Sequence, residues 1–546
     1  MSFVTRFVFI VILCFGFGLV NISHADEGDW YKHETDSFIL YSDLGPDGGA
    51  QLAKDLELFR FYLSRMTGVT PQPEAIKLPI YVFSNNKGFQ DIIQNGRIGG
   101  LFSRNVGRIY AIANISKSSY RHSDNGVSSL YHEYVHYFMD RYAFASYPPW
   151  YREGLADFLS TFEHNGNEVT IGRPLPSRIQ ILKHTKIGFL KDLLEYRWGK
   201  LSLHGKSDST IYIYAWGWLL THMLHMDAEF RPHVNKLMQA LNNGMDVEEA
   251  FVQNLGVTIR DIERKMQAFQ RSGSLTLLTG EAPISSQRTV VNMSKLSAHE
   301  KTFIQFALRE DFTGEDESHV ELLSDINNSV LLDDYSTEET ILRARINSHM
   351  KNWEEALNLV DSVLAENPSH ELANFERTSI ALQRIALDKS EREDEAKSAD
   401  DYDEENDEEF VLPPDIIEKN NIIYEEEKQR LLRVLQANPT SVLANFIVAG
   451  IYREQESENY IQEATHWMRA LRGQPQNQSL RFGLARALAD LGEIPSSCSY
   501  LSAYVNSFVS YYAWLEVDKV METIAEKGGV CVLPELERPP KPEEVI

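Results

Sequence analysis

The stretch "YHEYVHYFMD" (131–140) sets His132 and His136 four residues apart, with Glu133 directly after the first. On a helix, positions i and i+4 project from one face, so two imidazole nitrogens can close on a single ion. Two ligands are too few for a catalytic zinc, which takes three from the protein and leaves a fourth position open. The third must be a His, Asp or Glu from elsewhere. Seventeen residues after His136, in "PPWYREGLADFLS" (148–160), stands Glu153, with Asp157 again four further on. The remaining histidines offer less. His222 and His225, spaced i,i+3 on an apolar helix, read as packing residues rather than a second metal site, and His122 is a candidate for lining a cleft.

His-Glu-x-x-His followed closely by Glu-Gly-x-Ala-Asp resembles the gluzincin metallopeptidases, the thermolysin-like clan, and in particular its peptidase MA-like bacterial members. The likeness covers much of 30–270, through "DSFILYSD", "LELFRFYLSRMTG", the HEYVH helix, "WYREGLADF" and "YAWGWLLTHML", in that order. It implies that His132, His136 and Glu153 bind Zn2+, that Glu133 is the general base, and that Asp157 orients the His132 ring. In this clan a Tyr or His from a later helix donates to the oxyanion. Here "IYIYAWGWLLTHML" offers Tyr212 and Tyr214, of which Tyr214 aligns better with the family's Tyr-Ala-x-x-Trp pattern. Zinc in such a site acidifies water and polarises a carbonyl, and a carboxylate beside it takes the water proton to the leaving amine. The expected function is therefore hydrolysis of a peptide or protein substrate. Two rivals stand beside it: a zinc-binding but inactive repeat scaffold or chaperone of the cell envelope, and a zinc hydrolase of a non-peptide amide. An intact Glu133 favours turnover.

The elements that must hold these residues are legible from periodicity. "FILYSD" (38–43), "LPIYVFSN" (78–85) and "GRIYAIAN" (107–114) alternate as strands, the last a candidate edge strand for peptide addition. Leu52, Leu56, Phe59 and Leu63 follow helical spacing. Ser123 and Asp124 offer N-caps to a helix whose apolar side carries Val127, Leu130, Tyr134, Val135 and Phe138, so the histidine pair falls inside a helix.

After this region "SGSLTLLTGEAPISSQRTV" (272–290) loses periodicity and reads as a linker. Every candidate site residue precedes it, so chemistry and partner recruitment are expected to divide there. Beyond it "NPSHELANF" (367–375) returns as "NPTSVLANF" (438–446), and Pro475 follows Pro439 by 36 residues. With Ala356, Ala444, Ala464 and Ala487 placed for close helix contacts, the region from about 340 to 495 resembles tetratricopeptide repeats. An irregular helical bundle is the plainer alternative. Residues 388–409 hold 13 acidic and 3 basic side chains, a net of -10, and read as a solvated disordered insert without a calcium-loop pattern.

The expected fold class is thus α+β: a signal peptide (1–25), a thermolysin-like metallopeptidase domain (26–271), the linker, an all-α tetratricopeptide-like repeat domain (291–535) with its insert at 388–410, and a tail (536–546). Arg6, the apolar run 7–20 and Ser23-His24-Ala25 describe a cleavable secretory signal, too short to span a bilayer. Cleavage near Ala25 would leave a periplasmic or secreted chain with no transmembrane segment. Of three cysteines, Cys14 lies in the signal, whereas Cys498 and Cys531 are either a disulfide or two buried thiols. With 53 Lys+Arg against 79 Asp+Glu, the formal charge of -26 argues against non-specific nucleic-acid binding, and peptide substrates and protein partners are expected.

Overall fold

The computed structural model describes residues 28–533 except 72–76, 95–98, 106–107, 117–125, 143–146, 186–189, 197–208, 244, 273–274, 282–288, 314–315, 330–335, 398–411, 456–458, 476 and 506–510. The expected signal and tail, His122, Ser123 and Asp124 lie outside the described residues.

Six strands form one mixed sheet: β1 (Tyr31–Glu34), β2 (Phe38–Ser42), β3 (Leu78–Phe83), β4 (Gly100–Asn105), β5 (Arg108–Asn114) and β9 (Asn292–Lys295), in the order β4-β5-β3-β2-β1-β9. The pairs β2/β3 and β3/β5 are parallel, the others antiparallel. A smaller sheet joins β6 (Glu163–His164), β7 (Glu168–Ile171) and β8 (Leu278–Glu281). The expected edge strand, β5, is paired on both sides. Among the described residues the edges are β4 and β9, so a peptide adding on the β5 side would meet β4.

The helices of the first half are α1 (Gly45–Thr67), α2 (Asn86–Ile93), α3 (Gly126–Tyr142), α4 (Pro149–Ser160), α5 (Pro176–His184), α6 (Leu190–Glu195), α7 (Ser209–Met226), α8 (Val234–Asn242), α9 (Val247–Leu255) and α10 (Ile259–Ser272). Alternation sends Phe38, Leu40, Ile80 and Val82 to one face of the large sheet, where Leu56, Phe59 and Leu63 of α1 and Leu130, Tyr134 and Phe138 of α3 bury against them. The opposite face buries Phe83, Tyr110 and Ile112 against Phe89 and Ile92 of α2 and Leu308 of α11 (Ala298–Phe312).

That last contact corrects the expected domain boundary. The stretch expected to be a linker contains β8, whose Leu278–Glu281 pairs with β7, and Tyr62 donates to the Glu281 carbonyl at 2.6 Å. Just beyond it, β9 pairs with β1, and α11 covers the sheet. The first half is therefore completed by residues up to about 312.

The rest is helical: α12 (Asp316–Asn328), α13 (Thr337–His349), α14 (Trp353–Glu366), α15 (Glu371–Lys397), α16 (Pro414–Ala437), α17 (Val442–Glu454), α18 (Tyr460–Gly473), α19 (Gln478–Leu491), α20 (Ile494–Val505) and α21 (Tyr511–Glu526). Ser297 and Ser336 open α11 and α13 with capping boxes closed by Glu300 and Glu339. From α13 to α20 each helix packs on the next, α21 packs on α19, and Ala356, Ala444, Ala464 and Ala487 are buried within the array. The turns repeat in detail. Asn374 Nδ2 donates to the Pro368 carbonyl at 3.0 Å, and Asn445 Nδ2 to the Pro439 carbonyl at 3.1 Å. This is a tetratricopeptide-like helical repeat array. The acidic insert departs from expectation at its start: α15 stays helical to Lys397, so only 398–411 falls outside the described residues. Long (i,i+4) pairs such as Arg392 with Asp388 support that extension. Cys498 and Cys531 form a disulfide across Cα atoms 5.6 Å apart.

Candidate metal centre

Helices α3 and α4 bring His132, His136 and Glu153 together. Nε2 of His132 lies 3.1 Å from Nε2 of His136, and Glu153 Oε2 lies 3.3 Å from each. Despite these distances, Glu153 Oε2 is buried without a hydrogen bond of acceptable angle. The three atoms point at a common centre rather than at one another. Their spacing matches one face of a tetrahedron whose centre is about 2.0–2.1 Å from each corner, which has edges of about 3.3–3.4 Å. The donor set of two imidazoles and a carboxylate therefore fits zinc, by its own geometry.

Charge points the same way. Burial works against a charged His132 ring, but Asp157, Glu153 and Glu133 outweigh it and push the ring up to about 10. Burial would also raise Glu153, yet His136 and His132 hold it well below the usual carboxylate range. A cluster that holds a cationic proton so firmly is equally suited to a dication in its place.

Asp157 backs the site. Its Oδ1 accepts from His132 Nδ1 at 3.0 Å, which leaves the Nε2 lone pair aimed at the centre. Asp157 is itself buried, and Arg178 of α5 pairs with it through two contacts, Nε to Oδ2 at 2.6 Å and a terminal nitrogen to Oδ1 at 3.1 Å. The same guanidinium lies 4.7 Å from the ring centre of Tyr214. Arg178 is the functional residue that sequence reasoning missed. No motif marks it; the only signal was the need of a buried carboxylate for a cation.

Tyr214 of α7 stands over the cluster, its ring 6.0 Å from that of His132 and its hydroxyl within the electrostatic influence of Glu153. Burial, with Glu153, Asp157 and Glu133 around it, pushes the hydroxyl above the ordinary tyrosine range, so it remains a donor at neutral pH. Tyr212 instead packs against the core. Glu133 is half-buried on α3, and its charge is felt by both His132 and Tyr214.

Close helix packing fixes these positions. A Cβ on Gly154 would run into the Gly217 carbonyl and the Thr221 hydroxyl, and one on Gly217 into the Trp150 carbonyl, so α4 and α7 approach backbone to backbone. The glycine after Glu153 thus sets the distance between Glu153 and Tyr214. Arg152 pairs with Asp140 at 2.8 Å and ties α4 to the end of α3. His222 and His225 take no part in the cluster: His222 Nε2 donates to the Gly172 and Thr276 carbonyls, and His225 Nε2 lies 3.1 Å from the Tyr151 hydroxyl.

No family model and no curated protein matches the chain. Among solved structures it is similar to a tetratricopeptide repeat protein from Parabacteroides merdae at 15% identity, covering 55% of this chain and 89% of that one with a TM-score of 0.27. MamA (41 to end) from Desulfovibrio magneticus is similar at 13% identity, covering 42% of this chain and 97% of that one with a TM-score of 0.25. The assignment of the repeats rests on the helix pairs and their turns.

Proposed function

We propose that the chain is an exported zinc-dependent peptidase whose helical repeats recruit protein partners or substrates. The carrying observation is the triangle of His132 Nε2, His136 Nε2 and Glu153 Oε2, backed by Asp157 and Arg178. When bound there, zinc supplies a Lewis acid that acidifies water and polarises a carbonyl. Glu133, on the same helix as the two histidines, takes the proton from the attacking water and passes it to the leaving amine. Tyr214 keeps its proton and donates to the oxygen on which negative charge develops. Arg178 holds Asp157 charged, and Asp157 keeps the His132 ring in one orientation. The open backbone of β4 offers an extended peptide its hydrogen bonds.

A second reading is a zinc-holding scaffold that does not turn over. It draws on the size of the repeat array and on the apolar side chains the array exposes on its outer helices, Ile422 and Ile461 among them. One experiment separates the two. The purified chain is assayed for bound metal and for hydrolysis of casein before chelation, after it, and after zinc is returned. Peptidase activity that vanishes with the metal and comes back with zinc supports the first reading; bound zinc with no hydrolysis at any stage supports the second.

A further inference from the structure

The third proline turn of the repeats differs from the other two in one residue. Asn374 and Asn445 each lock their turn by donating to the carbonyl of the proline six residues before. Six residues after Pro475 stands Arg481, whose Nε makes the equivalent bond to the Pro475 carbonyl at 2.9 Å. An asparagine amide suffices for that bond, yet here a guanidinium stands in its place and is only 4% exposed. Burial pushes the Arg481 side chain down to about 10, against the opposing influence of Asp140 and Tyr500. Such a cation gains from any further negative charge within reach.

Beside it lies a cavity of about 780 Å³, within the ~300–1,000 Å³ range of small-molecule sites. Arg481 and Arg472 line it with Ser499 and Ser502 of α20, and Asn242 and Asn243 reach it from the end of α8. Each of these side chains offers an N–H or O–H donor. Although the chain carries a net charge of -26, no Asp or Glu lines the cavity among the described residues. Met468, Leu471 and Pro475 supply an apolar wall next to the donors.

We propose that this cavity binds an oxyanion-bearing ligand, a carboxylate or a phosphate, between Arg472 and Arg481. Serine and asparagine donors from both halves of the molecule complete the site, so its occupant ties the repeats to α8. Arg481 is within electrostatic range of Asp140 and Arg152, the pair that joins α3 to α4 next to Glu153. The inference does not depend on turnover, since its readout is binding alone.

The test is titration calorimetry of the full chain with inorganic phosphate, with trialanine, and with trialanine amide. Binding of trialanine with the amide about tenfold weaker or worse assigns a carboxyl end as the source; binding of phosphate alone assigns a phosphate ester. Arg481→Asn keeps the proline-turn bond found in the other repeats and so preserves the fold, and Arg472→Gln changes an exposed side chain. Each should weaken binding by about tenfold or more without lowering the melting temperature appreciably. The proposal is overturned if neither phosphate nor trialanine binds at millimolar concentration, if acid and amide bind alike and phosphate does not compete, or if Arg481→Asn binds as tightly as the native chain.

Discussion

Asp157 carries two jobs with one carboxylate, since one oxygen accepts from His132 and both meet the Arg178 guanidinium. Removing it frees the His132 ring and takes from the half-buried Arg178 its paired carboxylate. Asp157→Ala should therefore weaken zinc affinity by about 10- to 100-fold, measured by competition with a chelating dye. An unchanged affinity would mean that the ring is held by packing. The grouping of His132, His136 and Glu153 was legible because helix geometry converts a spacing of four into a shared face, and Glu153 and Asp157 repeat that spacing on the next helix. Arg178 was not legible. It sits 21 residues beyond Asp157 on a separate helix, and only tertiary packing brings the two together.

At the scale of elements, α7 shows how much a burial environment adds to what periodicity reveals. His222 and His225 are pushed down to about 4 by burial, the latter also by Arg231 and His222, and both are neutral in the folded chain near pH 7. In the unfolded chain they take up protons near the ordinary histidine value of about 6.5. Between about pH 6.5 and 4 the unfolded state thus binds more protons, so stability rises with pH across that window and is lost on acidification. Urea midpoints should fall as pH drops from 6.5 towards 4, and His225→Gln should flatten that dependence. A midpoint that stays level over the window would contradict the buried neutral pair. Strands β2, β3 and β5 were readable because they alternate or run apolar. β8 and β9 were not: "LTGE" and "NMSK" are short outer strands, the first only half-buried and the second exposed, and their pairing partners lie more than a hundred residues away.

For the whole molecule, the sheet sets the boundary that composition placed too early. A chain ended near residue 285 lacks β9 and α11 and so uncovers Phe83, Tyr110 and Ile112. A chain ended after Thr313 keeps them. The longer truncate should melt cooperatively and cleave short peptides, whereas the shorter should be less stable by several kcal/mol, as expected for the loss of a buried helix face. Equal melting temperatures would return the boundary to 272–290. The repeats were visible in the sequence because "NPSHELANF" and "NPTSVLANF" carry the same turn chemistry, but their contact with α3 was not. Arg141 donates to the Gly473 carbonyl at 2.9 Å, a link across 332 positions that no local pattern encodes.

The proposed chemistry requires Glu133 to be a base beside a metal rather than one of its ligands, and Glu133→Gln addresses that directly. The substitution keeps the size and helix position of the side chain and removes its capacity to take a proton. Zinc content and peptide hydrolysis are measured on the same preparation of the variant. The account predicts about one zinc per chain, as in the native protein, with hydrolysis reduced by a factor of about 10² to 10⁴. A variant that retains full hydrolysis, or that loses its zinc, would contradict it.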